Sequence, residues 1–236
     1  MSTAAETPAG AEAEPRPRKR AARGEGDSLR TELLSAAEEL LVEAGDESAL
    51  TLRAVARRVG VTTPSVYRHF ADKATLVEAV AHQGWGELGR RMDAAAAEAD
   101  DAFEALRRRG VAYVRFGLDH PVHYRLLMMR PPPPGSPDAG VAAASECFEH
   151  MVDGVQAVVE VGIFVGDPRT LALGLWAAVH GVVSLLVAKP HFPWPADIDG
   201  FVDRAVRMAG MGTAVVSRPE LIRWESFAAP PAAGQR

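Results

Sequence analysis

A single cysteine, Cys147, excludes an internal disulfide and suits a reducing compartment. Aromatic residues are only 6% of the chain, and no stretch sustains the apolar/polar alternation of a half-buried strand. Without strand signals or a disulfide framework, a core for these 236 residues must come from helices, so an all-α fold is expected. The N-terminal stretch lacks the apolar centre of a signal peptide, and a cytoplasmic location is expected. No acid, base and nucleophile gather in a recognisable motif, which argues against an enzyme. A net charge of −5 means that any contact with nucleic acid must be local.

One stretch has that local character. From Thr51 to Lys73 the chain reads TLRAVARRVGVTTPSVYRHFADK. Leu52, Val55, Ala56 and Val59 fall at i, i+3, i+4 and i+7, the stripe of a short helix. Gly60 stands where that helix closes with positive φ, a conformation cheap only without a Cβ. Thr63 followed by Pro64 reads as the start of a second helix, hydroxyl cap before a ring that presets φ. Val66 and Phe70 face back onto the first helix, leaving Ser65, Arg68 and His69 outward with Tyr67 at the edge. Arg53, Arg57, Arg58, Arg68 and Lys73 stand against Asp72 alone, a local charge of the sign phosphate contact requires. Two helices, a glycine turn and a polar outer face make a helix-turn-helix. A helical hairpin with a solvated basic face is the competing reading.

The run TTPSVYRHFADKATL, preceded by TLRAVARRVGV, resembles the DNA-binding domain of the TetR/AcrR family of bacterial transcriptional regulators. The resemblance is strong over residues 28–85 and architectural beyond them. It implies a three-helix N-terminal domain followed by a helical bundle that binds a ligand and dimerises. The recognition helix, Pro64 to His69, would enter the major groove of double-stranded DNA. Thr51, Thr62, Thr63, Tyr67, His69 and Lys73 would touch phosphates or position helices, while Ser65 and Arg68 would read bases. Paired heads spaced about 34 Å or a multiple apart read a palindromic operator. A repressor released by an unidentified small molecule is the family default; a constitutive DNA-binding protein without an effector is the alternative.

The expected organisation is a disordered basic tail over residues 1–26, a DNA-binding domain over 27–84, a ligand-binding and dimerisation domain over 85–227, and a mobile end over 228–236. Within the tail, RPRKRAAR is either an arm lying along DNA or a solubilising segment. Asp27 or Ser28 is expected to cap a helix that ends at Gly45. Asp72 caps a longer one, in which Gly84, Gly86 and Gly89 cluster around Trp85; the cluster is either a functional soft point or an accommodating bend. PPPPGSP, Pro131 to Pro137, reads as a surface loop, and Leu221, Trp224 and Phe227 as a docked segment.

Leu171 to Ala188 runs eighteen residues without a charge, the crude length of a membrane span. His180 in its middle and Pro190, Pro193 and Pro195 beyond it favour a helix buried between its own domain and a partner subunit. Its WAAVHG element is similar to one in the WHG-type subgroup of the family, where this helix helps form a homodimer. The interface candidates are Leu175, Ala178, Val182 and Leu186, joined by Phe201, Ala205 and Met208 from the next helix.

Large apolar side chains nominate a ligand pocket: Trp85, Phe103, Tyr113, Phe116 and Tyr124, then Met128, Phe148, Met151, Trp176 and His180. Few charges lie among them, so an apolar or aromatic effector is expected, and no cofactor. The pairs His120/His123 and Cys147/His150 have the i, i+3 spacing of metal ligands but no third partner at motif spacing, so a metal-responsive regulator is the weaker alternative and no metal site is assigned.

Overall fold

The structure, a computed structural model, describes residues 25–47, 50–128 and 138–218. Among these residues it consists of helices with no strand: α1 (Glu25–Ala44), α2 (Leu52–Val59), α3 (Thr63–Tyr67), α4 (Lys73–Ala97), α5 (Ala102–Asp119), α6 (Pro121–Met128), α7 (Asp138–Glu160), α8 (Pro168–Ala188) and α9 (Ile198–Val216). The basic RPRKRAAR tail, the proline run and the segment with Leu221, Trp224 and Phe227 lie outside the described residues. The chain divides into two compact units between Val77 and Glu78, within the continuous helix α4.

In the first unit α1 supplies Leu33, Leu34, Ala37 and Leu41, each no more than 5% exposed. Helix α2 packs on α1 and α3 on α2, burying Leu52, Val55, Ala56 and Val66. Phe70 closes this core, with the Arg30 guanidinium 4.9 Å from its ring centre. Burying a side chain of leucine size contributes about 1.5–3 kcal/mol, so this short domain depends on its few large residues. Helix α1 begins ahead of the expected cap: the Asp27 carbonyl already accepts from Thr31 Oγ1 at 2.9 Å, one turn inside the helix. Its end is as expected, at Gly45 with φ +77°.

In the second unit α5 packs against α6, α7, α8 and α9. Two glycines one heptad apart make this possible. A Cβ on Gly110 would lie 2.9 Å from Val206 Cγ1, and one on Gly117 would overlap Val183 and approach Tyr124 Cδ2 to 2.9 Å. Asp101, Asp167 and Asp197 cap α5, α8 and α9, each carboxylate accepting the backbone N–H three residues on. Helix α8 is long and apolar enough to cross a membrane. Its Ala172, Leu175, Val179, Val183 and Leu186 instead belong to the apolar cluster of this unit.

The glycines of α4 do not interrupt it. A Cβ on Gly84 would come 3.3 Å from Leu127 Cδ2 of α6, and one on Gly89 3.2 Å from His150 Nε2 of α7. Gly84 and Gly89 thus each face a side chain of a neighbouring helix.

Candidate DNA interface and ligand cavity

The turn between α2 and α3 is built by its backbone. Gly60 adopts φ +75°, the Val61 N–H reaches the Ala56 carbonyl at 2.9 Å and the Gly60 N–H the Arg57 carbonyl at 3.3 Å. This crossed pair is the Schellman closure of a helix. Thr51 caps the other end of α2, its Oγ1 accepting from the Ala54 N–H at 3.0 Å, so it positions the helix.

Helix α3 is capped one residue earlier than expected. Thr62 occupies the cap position, while Thr63 and Pro64 are the first helical residues. The Thr62 hydroxyl bonds Ser65 Oγ at 2.9 Å instead of a backbone N–H. The helix ends at Tyr67, and Arg68 and His69 lie in the turn that follows, so the recognition segment is shorter than a helix through His69. Val66 and Phe70 are buried, which turns Tyr67 outward, 54% exposed. Arg68 is also exposed, and its Nη2 donates to Ser65 Oγ at 3.2 Å. The Ser65 hydroxyl therefore bridges Thr62 and Arg68, holding the expected base readers together.

The local positive charge is smaller than the sequence count. Arg58 bonds Glu39 at 3.1 Å and Glu43 at 2.6 Å, both on α1 and outside the stretch that was counted. That hydrogen bond holds the Glu43 carboxyl below its usual range. Lys73 Nζ donates to the Glu47 carbonyl at 2.6 Å, tying the start of α4 to the segment ahead of α2. Asp72 caps α4 through the Thr75 N–H at 2.7 Å, a bond that lowers its carboxyl pKa. Arg53, Arg57 and Arg68 remain as exposed cations of the motif.

The second unit holds a half-open cavity of about 410 Å³, within the size range of small-molecule sites. Seven of the ten expected pocket residues line it: Trp85, Tyr113, Met128, Phe148, Met151, Trp176 and His180. The other three lie elsewhere. Phe103 packs edge-on against Phe164 with centroids 6.1 Å apart and borders a separate void of about 30 Å³. Phe116 is 3% exposed and stacks near His120. Tyr124 is 1% exposed, yet its hydroxyl reaches His180 from behind the wall.

Met92, Leu127, Cys147, Arg169 and Leu173 also line the cavity and are not among the expected residues. Spacing could have found two of them, since Arg169, Leu173, Trp176 and His180 fall at i, i+4, i+7 and i+11 on α8. Arg169 bonds Glu149 at 2.7 Å and lies 5.6 Å from the Phe148 ring centre.

Polar groups gather at one end of the cavity. The Trp176 indole N–H donates to the Tyr113 hydroxyl at 3.1 Å. Tyr113 and Tyr124 place their hydroxyls 3.1 and 2.9 Å from the same His180 Nδ1. Ser184 Oγ lies 2.9 Å from Tyr124 and 3.3 Å from His180 Nε2. Burial raises both phenol pKa values and lowers that of His180, so all three are neutral near pH 7.

Among the described residues no three His, Cys, Asp or Glu side chains are arranged to hold a metal. Of the two candidate pairs, His120 and His123 stack edge to face, and His150 bonds Asp93 at 2.8 Å. Burial pushes the Cys147 thiol up to about 12.

The interface candidates divide. Leu175 and Leu186 are buried in the chain's own core at 6% and 7% exposure. Val182, Phe201 and Ala205 are half-buried, while Ala178 and Met208 are exposed. Leu185 and Met211 extend the exposed apolar set, and a Cβ at Gly174, Gly181 or Gly212 would meet no atom within 4 Å.

Two family models match the chain, one described as bacterial regulatory proteins of the tetR family over residues 33–80, the other as the tetracyclin repressor-like C-terminal domain over 106–209. Comparison with proteins of curated function gave no match. Among solved structures, a protein of unknown function from Rhodococcus sp. RHA1 is similar at 29% identity, with TM-score 0.70, covering 79% of this chain and 95% of that one. A TetR/AcrR-family transcriptional regulator from Thermobifida fusca YX-ER1 shares the fold at 24% identity and TM-score 0.60, covering 78% and 98% of the two chains. A TetR-family regulator from Marinobacter aquaeolei VT8 does so at 20% identity and TM-score 0.58, covering 80% and 97%. The helix-turn-helix, the all-α architecture and the two matched models converge: this chain belongs to the TetR family of transcriptional regulators.

Proposed function

We propose that the protein is a cytoplasmic homodimeric repressor that binds a palindromic operator and is released by a small, mostly apolar ligand. The observation that carries this reading is the cavity of about 410 Å³ in the C-terminal unit of a chain whose N-terminal unit has a DNA-binding fold. Ser65 and Arg68 read bases in the major groove. A guanidinium forked onto guanine contributes about 1–3 kcal/mol of discrimination. Thr51, Thr63, Pro64 and Lys73 hold the motif's helices in place, while Thr62, Tyr67 and His69 face the phosphate backbone.

Dimerisation uses the outward faces of α8 and α9. Ala178, Leu185, Met208 and Met211 are exposed there, and the glycines beside them leave room for a helix to approach. Exposed apolar area of this kind is a feature of association surfaces. Trp85 brings α4 into the cavity wall, so a ligand acts on the helix whose first turn belongs to the DNA-binding unit. Release requires the ligand to bind the conformation poorly matched to the operator more tightly than the matched one. The chemistry is recognition throughout, without catalysis, cofactor or metal.

Selection of bound duplexes from a random pool by the full-length protein tests this reading. An inverted repeat should be enriched, with affinity falling steeply as salt rises. Recovery of unrelated sequences would overturn it.

A further inference from the structure

The two ends of the cavity differ in charge and in hydrogen bonding. Among the described residues that line it, Arg169 alone carries a formal charge, and no carboxylate belongs to the wall. Exposure falls along the wall, from the Arg169 side chain at 55% and Leu173 at 49% to Tyr113 and Met151 at 3% each. Arg169 therefore stands at the open end, and Tyr113 with His180 at the closed one. Arg169 and His180 share one face of α8, and at 1.5 Å of rise per residue the two ends lie about 16 Å apart. The closed end asks nothing of a ligand. The Trp176 N–H has the Tyr113 hydroxyl at 3.1 Å, the Tyr113 hydroxyl has His180 Nδ1 at 3.1 Å, and the Tyr124 hydroxyl has Ser184 Oγ at 2.9 Å. The open end is unfinished. Arg169 donates one hydrogen bond, from Nη1 to Glu149 Oε1 at 2.7 Å, and its Nε and Nη2 hold no partner among the described residues. That free edge has the fork geometry that takes a carboxylate bidentately.

We propose that the cavity takes an amphipathic monocarboxylate, its head on the free edge of Arg169 at the open end and its apolar body running inward along Leu173, Phe148 and Trp176. The proposal rests on the reading of this cavity as the effector site and names the class of effector. The guanidinium is already placed for the task, its carbon 5.6 Å from the ring centre of Phe148, a wall residue. Glu149 competes for it weakly. Glu149 is itself 47% exposed and reaches Arg169 through one hydrogen bond, so solvent screens the pair. The neighbouring carboxylate, Asp167, is committed to the cap of α8, accepting from the Thr170 N–H at 2.8 Å and its Oγ1 at 2.6 Å. An ammonium head would meet the like charge of Arg169. An uncharged head would leave the free edge of the guanidinium without its counter-charge.

Calorimetry on the full-length protein with decanoate, 1-decanol and decylammonium tests this, because the probes share one chain and differ in the charge of the head. Decanoate should bind roughly tenfold more tightly than decanol, the return of one hydrogen-bonded charge, and decylammonium should bind most weakly. Arg169→Gln should abolish the preference for decanoate and leave decanol binding unchanged. Glu149→Gln removes the competing carboxylate, so it should tighten the binding of decanoate alone. Arg169→Glu should reverse the order and favour decylammonium, an outcome that a purely structural role for Arg169 does not produce. Equal binding of the probes, preference of the parent for decanol or decylammonium, no binding of any probe, or a decanoate preference that survives Arg169→Gln would overturn the proposal. Operator occupancy measured in parallel separates the two levels. Decanoate that binds as expected yet leaves the operator occupied removes the effector reading and keeps the ligand class. A protein that holds its operator but shows no preference for decanoate loses the ligand class alone.

Discussion

Arg58 Nη2 on α2 lies 2.6 Å from Glu43 Oε2 on α1, and its Nη1 is 3.1 Å from Glu39. An arginine that counts toward a basic DNA-binding motif in the sequence is thereby neutralised by the helix behind it. Its side chain braces the motif, which leaves Arg53 and Arg57 of α2 as the exposed cations we propose for phosphate contact.

This division predicts different salt behaviour. Arg57→Ala should lower the slope of log affinity against log salt by about one counterion. Arg58→Ala should leave that slope unchanged and lower the thermal midpoint of the protein. Anisotropy titrations of labelled operator across a salt series distinguish the two.

Gly117 predicts a packing effect. Its missing Cβ leaves the space occupied by Val183 and the Tyr124 ring. Gly117→Ala should cost about 1–3 kcal/mol through overpacking, despite the better helix propensity of alanine. Gly86, exposed and with only the tip of Arg90 near its Cβ position, is the counterexample. Gly86→Ala should stabilise by up to about 1 kcal/mol. Urea denaturation measures both, and a stabilised Gly117→Ala would show that α5 and α8 are less closely packed than described.

The outward apolar face predicts an association effect. Leu185→Arg combined with Met208→Glu should convert the proposed dimer to a monomer in sedimentation, both side chains being more than half exposed and so dispensable to the chain's own core. Helical circular dichroism should be retained. A double variant that still sediments as a dimer would place the interface elsewhere.

Glu104 predicts a pH effect. Hydrogen bonds from Arg107, then Arg108, hold its carboxyl down to about 2 against an ordinary 4.5. A folded-state pKa below the unfolded one gives stability that is complete above pH 4.5 and lost as pH falls toward 2. Solvent screening limits the pair to roughly 1 kcal/mol or less. Glu104→Gln should therefore be less stable than the parent at pH 7, with the difference closing between pH 4.5 and 2.

The helix-turn-helix was legible because its determinants are local. A positive-φ glycine, a Thr-Thr-Pro start and apolar residues at helical spacing each act within one turn of the chain. The start of α3 was misplaced by one residue because Thr62 and Thr63 are both capping types, and only their hydrogen bonds separate them. The cavity was partly legible. Trp85, Phe148 and Trp176 stand out by size, but Phe103 and Phe116 look the same in sequence and face other neighbours. The partners of Arg58 and the convergence of Tyr113 and Tyr124 on His180 come from distant segments, so no spacing rule reveals them.

The proposed reading of a DNA sequence rests on Ser65 within α3 and Arg68 in the turn that follows it. Footprinting of the DNA flanking its own gene, with the parent protein and with Arg68→Ala, tests it most directly. The account predicts protection of one palindromic site by the parent, and by Arg68→Ala a weaker footprint that tolerates base changes in each half-site. Protection without a preferred site, or an Arg68→Ala footprint as selective as the parent's, would contradict it.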